Sequence, residues 1–222
     1  MSTITTFSTH ISEADKLLSE YGEEVRPILL EITNRLEKKR IPDNLANEIR
    51  ALNDHIARCF IDGKDDEQIK KELGKAEGHL KRLEYDVYKQ MNIFLHDKAV
   101  GEFSSRAFWQ MDAWYQPQWA SFKNQYITLR KEAEEAVNQA KLAESSGSDK
   151  DGVLDLYKEG YYKYRELEEL IIGHEQDLNT LERQNKRLKI KKTTLKVLIA
   201  VFTAFATAVI TQVICRLILG AS

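Results

Sequence analysis

An all-α protein is what this sequence predicts: an antiparallel helical bundle, a long coiled-coil-like helix, and a single C-terminal helix able to cross a membrane. Three observations carry that expectation. The 222 residues hold only three prolines and ten glycines, and no stretch alternates with period two as a half-buried strand would. Apolar residues instead recur at three- and four-residue steps through most of the chain. From Val197 to Cys215 the chain then carries no formal charge for nineteen residues. At ~1.5 Å rise per residue such a helix is ~28 Å long, close to a ~30 Å hydrocarbon core.

Residues 1–144 read as the bundle. A first helix from about Ser12 places Leu18, Tyr21, Val25, Ile28, Ile32 and Leu36 on one face, with Pro27 as a kink or restart. A second begins at Pro42-Asp43 and aligns Leu45, Ile49, Leu52, Ile56 and Cys59. Beyond Gly63 a third, capped by Asp65 or Asp66, aligns Ile69, Leu73, Ala76, Leu80, Leu83, Val87 and Phe94. A fourth is expected after Ser104-Ser105, with Tyr115, Trp119, Phe122, Tyr126, Leu129, Ala133, Ala136 and Ala140 inward. These narrow stripes suit helices crossing at shallow angles. The short connections at 39–43, 62–66 and 97–104 make neighbours antiparallel.

Residues 145–152, SSGSDKDG, are the expected linker, small and polar. Residues 153–195 read as one rod. Tyr157, Tyr164, Leu167, Ile171, Leu178, Leu181 and Leu188 share a heptad seam with His174 and Asn185. An Asn in such a seam sets register and oligomer state at a cost in stability. No stop precedes the apolar helix of 196–219, so the rod is expected to run straight into it.

Eight of the 33 basic residues and none of the 35 acidic ones lie beyond Glu182, which leaves residues 1–182 at −10 and residues 183–222 at +8. Arg183, Lys186, Arg187, Lys189, Lys191, Lys192 and Lys196 crowd the N-terminal side of the apolar run, and only Arg216 follows it. Cations are retained on the cytoplasmic side. The expected arrangement is therefore a single-pass protein of the cell inner membrane, with its N-terminus in the cytoplasm and its C-terminus outside. The same cations are drawn to anionic lipid headgroups. An acidic bundle argues against nucleic acid as a partner. The start of the chain, MSTITTFSTHISEADK, has no apolar core of a signal peptide. Cys59 and Cys215 do not form a disulfide framework, which suits a reducing cytosol.

Within the apolar run Ala200, Ala204, Ala208, Gln212 and Arg216 fall four residues apart, and Thr203, Thr207 and Thr211 form a second line beside them. Small residues let membrane helices approach closely, while Thr and Gln hydrogen-bond across the contact. The expectation is a homo-oligomer assembled through this face, with Gln212 and Arg216 facing protein, water or the headgroup level. The competing reading is a moderately apolar anchor that tolerates Ala and Thr, its Arg216 snorkelling to the outer surface. The opposite side holds Leu198, Val201, Phe202, Phe205, Val209 and Val213.

Few motifs carry chemistry. Arg50-Ala51-Leu52-Asn53-Asp54-His55 resembles the Arg–His spacing of the HEPN ribonucleases, an all-α family in which the two residues meet at a dimer seam and cleave RNA. That resemblance implies catalysis by Arg50 and His55, although Ala51 stands where the family usually has a polar residue. The competing reading is a surface arginine and a histidine beside the core face. His79 and His96 have acidic neighbours, but no pair of ligands stands at i and i+4 as a zinc helix needs. No nucleophile elbow or glycine-rich phosphate loop occurs. No catalytic residue, metal or cofactor is therefore expected. Trp109, Trp114 and Trp119 crowd eleven residues around Pro117, as a partner contact or the wide end of the core.

In layout and size the whole chain resembles the small membrane-anchored effectors that accompany bacterial antiphage systems such as retrons and RNA-targeting CRISPR. The resemblance implies abortive infection: a controlling protein partner holds the bundle, and release leads to damage of the inner membrane. The alternatives are a tail-anchored, non-enzymatic tether or adaptor, and a membrane-bound HEPN-like ribonuclease.

Overall fold

The computed structural model describes residues 10–36, 39–61, 63–106, 117–147 and 150–219; for Gln118, Asn185 and residues 209–219 only the backbone is described. Those residues are helical nearly throughout and contain no strand. The helices are α1 (Ile11–Glu20), α2 (Arg26–Arg35), α3 (Asp43–Arg58), α4 (Asp66–His96), α5 (Ala120–Ser145), α6 (Lys150–Gly173) and α7 (Glu175–Leu219). The chain divides into two compact units. One comprises Met1–Ser105 with Ser121–Ile171, the other Arg106–Ala120 with Ile172–Ser222.

In the first unit, α1 passes into α2 through a π-helical turn at Tyr21–Val25. Pro27 lacks an N–H to bond the carbonyl four residues back, that of Glu23, which lies inside this turn. The wider turn takes up an extra residue and moves the inward face. Leu17 is 7 % exposed and Leu18 48 %, so the expected placement of Leu18 in the core is corrected to Ala14 and Leu17.

Helix α3 starts at Asp43 directly after Pro42, as expected. Helix α4 starts with a complete capping box. Asp65 Oδ1 accepts from the Gln68 N–H at 2.8 Å, and Gln68 Oε1 accepts from the Asp65 N–H at 3.2 Å. The side-chain pairs His55–Glu72 and His79–Glu48 show that α3 and α4 run antiparallel. Lys89–Glu144 with Tyr126–Ala99 show the same of α4 and α5.

The inward face of α4 ends differently from the expectation. Met91 and Leu95 are buried and Phe94 is only half-buried. A strict seven-residue repeat drifts round a straight helix, and two successive steps of four after Val87 recover the lost angle. The expected connection at 97–104 is also corrected. Asp97–Glu102 continues α4 as a π-helix that buries Ala99 and Val100. Phe103 then packs on Tyr126 at 4.9 Å between ring centroids. The start expected for the fourth helix after Ser105 falls at residues 107–116, outside the described residues. Its described part begins as a 3₁₀ turn, Pro117–Trp119.

The rod expected over 153–195 is two helices in the structure. α6 begins at Lys150, inside the expected linker, ends at Gly173, and α7 starts at Glu175. α6 belongs to the bundle. Tyr157, Tyr164 and Leu167 are buried in it, and a Cβ placed on Gly160 would lie 2.6 Å from Val137 Cγ2 and 3.1 Å from Asn92 Oδ1. Asn92, buried on α4, donates through Nδ2 to the carbonyls of Tyr88 and Tyr157 at 2.9 and 2.8 Å, which ties α4 to α6.

A buried charge cluster joins three elements of this unit. Glu168, 5 % exposed, accepts from Arg35 and Lys98, and Arg165 bridges Glu168 and Glu31 at 2.8 and 3.0 Å. Burial raises the Glu168 carboxyl, but the hydrogen bonds and charges of Lys98 and Arg35 outweigh it, so its pKa is lowered.

Candidate functional site

The second unit holds the candidate site, the C-terminal half of α7. The start of α7 is fixed by local charge. Glu175, Asn179 and Glu182 stand at i, i+4 and i+7 on one face, and the Arg106 guanidinium reaches all three. Nη1 donates to Glu175 at 2.9 Å, Nη2 to Asn179 at 2.9 Å and Nε to Glu182 at 2.7 Å. Leu178 and Leu181, of the expected seam, are buried here. Leu188 is 57 % exposed, and the side chain of Asn185 lies outside the described ones.

Past Glu182 the character of α7 changes. The seven cations from Arg183 to Lys196 are all exposed, and none of their side chains has an ion pair or hydrogen bond among the described residues. From Val197 to Ala208 every side chain but those of Thr203 and Thr207 is apolar. Leu198, Val201 and Phe205 are exposed, and so are Ala200, Ala204 and Ala208; the alanine line drifts round the helix, so that Ala208 stands about 20° from Val201 rather than opposite it. Phe202 reaches 71 %. Thr203 Oγ1 donates to the Ile199 carbonyl at 2.6 Å and Thr207 Oγ1 to that of Thr203 at 2.8 Å, so both hydroxyl protons are satisfied within the helix. The side chains of Thr211, Gln212 and Arg216 lie outside the described ones, as does that of Cys215. Described side chains end at Ala208, and among the described residues no helix is long and apolar enough to cross a membrane. The backbone continues as helix to Leu219.

Arg50 and His55 stand on different sides of α3. Arg50 is exposed and donates to Asn47 Oδ1 at 3.0 Å, while His55 turns toward α4 and bonds Glu72 Oε2 through Nδ1 at 2.7 Å. Five residues apart, the two side chains leave α3 about 140° apart. The His55 ring stacks on His79 at 5.2 Å, and His79 bonds Glu48 at 2.8 Å. The His55 hydrogen bond, helped by Lys75, holds the Glu72 carboxyl at about 2 despite its burial. Each imidazole thus bonds a carboxylate across the α3–α4 seam. Burial raises the Cys59 thiol, which donates to the His55 carbonyl. Among the described residues no three His, Cys, Asp or Glu side chains are grouped to hold a metal.

A recess of about 560 Å³ between α4, α5 and α6 is lined by Lys81, Arg82, Tyr85, Glu144, Lys150 and Asp151. Its charges are mixed in sign, and its carboxylates already bond Lys89, Tyr157 and Lys81. Trp119 is buried; Trp109 and Trp114 lie outside the described residues.

Sequence reading missed the Glu168 cluster. Its only local traces are Glu31–Arg35 and Arg165–Glu168 at helical spacing, which look like solvated surface pairs. No family model, curated protein or solved structure matches the chain.

Proposed function

We propose that this chain is a membrane-anchored, non-enzymatic effector whose helical bundle controls a self-associating C-terminal membrane helix. One observation carries the reading. α7 is a single helix from Glu175 to Leu219 whose described apolar side chains from Val197 onward are exposed on every face. A helix apolar all round needs either a protein core or a bilayer about it. The sequence extends the same uncharged run to Cys215, long enough for a hydrocarbon core.

On this reading the cations before the run keep the bundle in the cytoplasm and the C-terminus outside the inner membrane. Ala200, Ala204 and Ala208 allow close helix contact in a homo-oligomer, with Gln212 and Arg216 lining its interior. The bundle is the seat of a controlling protein partner. The shared layout with antiphage effectors supplies the setting, abortive infection by damage to the membrane.

The second reading, a non-enzymatic tether, is favoured by Thr203 and Thr207, whose hydroxyl protons are already bonded to their own backbone. The two readings separate on the polar line. Gln212→Leu with Arg216→Leu removes a burden of up to ~2.5–3.5 kcal/mol for a charge at mid-membrane. The effector reading expects better insertion with loss of toxicity and dye uptake. It expects Ala204→Leu with Ala208→Leu to impair assembly, and Ile199→Leu, about 140° from Ala204 and 180° from Ala208, to be harmless. Membrane depolarisation that survives both double changes contradicts it and leaves the tether.

A further inference from the structure

We infer that the cationic stretch of α7 is a collar for an anionic phospholipid surface, gripping headgroups around the whole circumference of a helix that crosses the bilayer upright. The inference rests on the membrane reading of α7 and names the partner of its juxtamembrane segment. Its geometry comes from the unbroken helix. At about 100° per residue, the seven cations from Arg183 to Lys196 leave no sector wider than about 100° without one. That sector, between Lys191 and Lys192, holds Leu188 and Leu195. The third apolar side chain of the stretch, Ile190, stands about 160° from Leu188, among the cations.

A helix lying in the membrane surface needs one broad apolar face opposite a charged one. This stretch has neither, because its charges encircle it. An acidic protein helix would neutralise one side and leave the others bare. A planar sheet of anionic headgroups pierced by the helix meets every side at once. The stretch spans Arg183 to Lys196, about 20 Å of helix, and its last cation precedes Val197, the first residue of the uncharged run. None of these cations has a protein counter-charge among the described residues, so headgroup phosphates meet no competition from internal pairs. Electrostatic attraction to anionic lipid is worth roughly a fivefold gain for each cation at the surface.

The test is a competition between two vesicle populations of different density, one of phosphatidylcholine and one containing phosphatidylglycerol, offered together to the full-length chain. The collar predicts a preference for the anionic vesicles of more than tenfold. That preference should collapse in high salt and fall by at least about tenfold in the triple variant Lys189→Gln, Lys191→Gln, Lys192→Gln. The variant should still enter neutral vesicles, because the uncharged run is intact. Equal partition of the unaltered chain, or a preference that the triple variant retains, overturns the collar while leaving the anchor standing. Salt-sensitive binding to anionic vesicles with none to neutral ones removes the anchor and with it the upright collar, leaving only adsorption of the cations at the surface. Binding to neither removes both. Displacement from anionic vesicles by a single-stranded RNA oligonucleotide at equal phosphate concentration overturns lipid as the partner in favour of nucleic acid.

Discussion

Gly160 is where a single side-chain atom decides how closely α5 and α6 approach. A Cβ at Gly160 would press on Val137 Cγ2 at 2.6 Å, against a neighbour itself fixed in the core. Gly160→Ala should therefore destabilise the bundle by about 1–3 kcal/mol despite the better helix propensity of alanine. Gly74, inside α4 with nothing within 4 Å of its Cβ position, is the matched control. Gly74→Ala should stabilise by about 0.5–1 kcal/mol. Denaturant midpoints of the two variants check both signs. At the same scale, Glu72 links stability to acid. Its folded carboxyl is held at about 2 by His55, against about 4.3 for a free glutamate. The contribution is fully present above about pH 5 and fades as pH falls toward 2. A His55→Ala variant should lose part of the acid slope between those limits, measured by thermal unfolding at successive pH values.

Among the elements, some boundaries were readable in the sequence because their causes are local. Pro42 before Asp43 starts α3, and Asp65 with Gln68 closes the capping box of α4. The phase of α1 was not readable, because the π-turn shifts the helix face without leaving any break in the pattern of apolar residues. Leu17→Ala should accordingly cost about 2–3 kcal/mol, whereas Leu18→Ala should change stability by less than about 0.5 kcal/mol. Equal costs for the two would refute the π-turn account. The division of the expected rod at Gly173–His174 was likewise hidden, since the heptad of Leu178 and Leu181 continues that of Tyr157 and Tyr164 across it. The Glu168 cluster was invisible for another reason. Its partners Arg35 and Lys98 are 133 and 70 residues away, and nothing local distinguishes a buried carboxylate from a solvated one. The cations of α7 were fully legible, because charge is read directly from composition. That their side chains pair with none of the described residues came only with the structure.

For the molecule as a whole, the separation of charge is the dominant fact. An acidic stretch of 182 residues precedes a cationic and then uncharged helix, and the overall charge of −2 conceals it. The bundle accounts for the first part through ion pairs that cross helices, and α7 leaves the described side chains of the second part exposed. On the proposed reading, the apolar surrounding such a helix needs is the bilayer. The most direct test is the distribution of the full-length chain and of a chain ending at Lys192 between membrane and supernatant after alkaline carbonate extraction, followed by protease treatment of intact vesicles. The membrane account predicts that the full-length chain stays in the membrane with its bundle open to cytosolic protease, and that the shortened chain is released. Full-length protein recovered in the supernatant without detergent would contradict it.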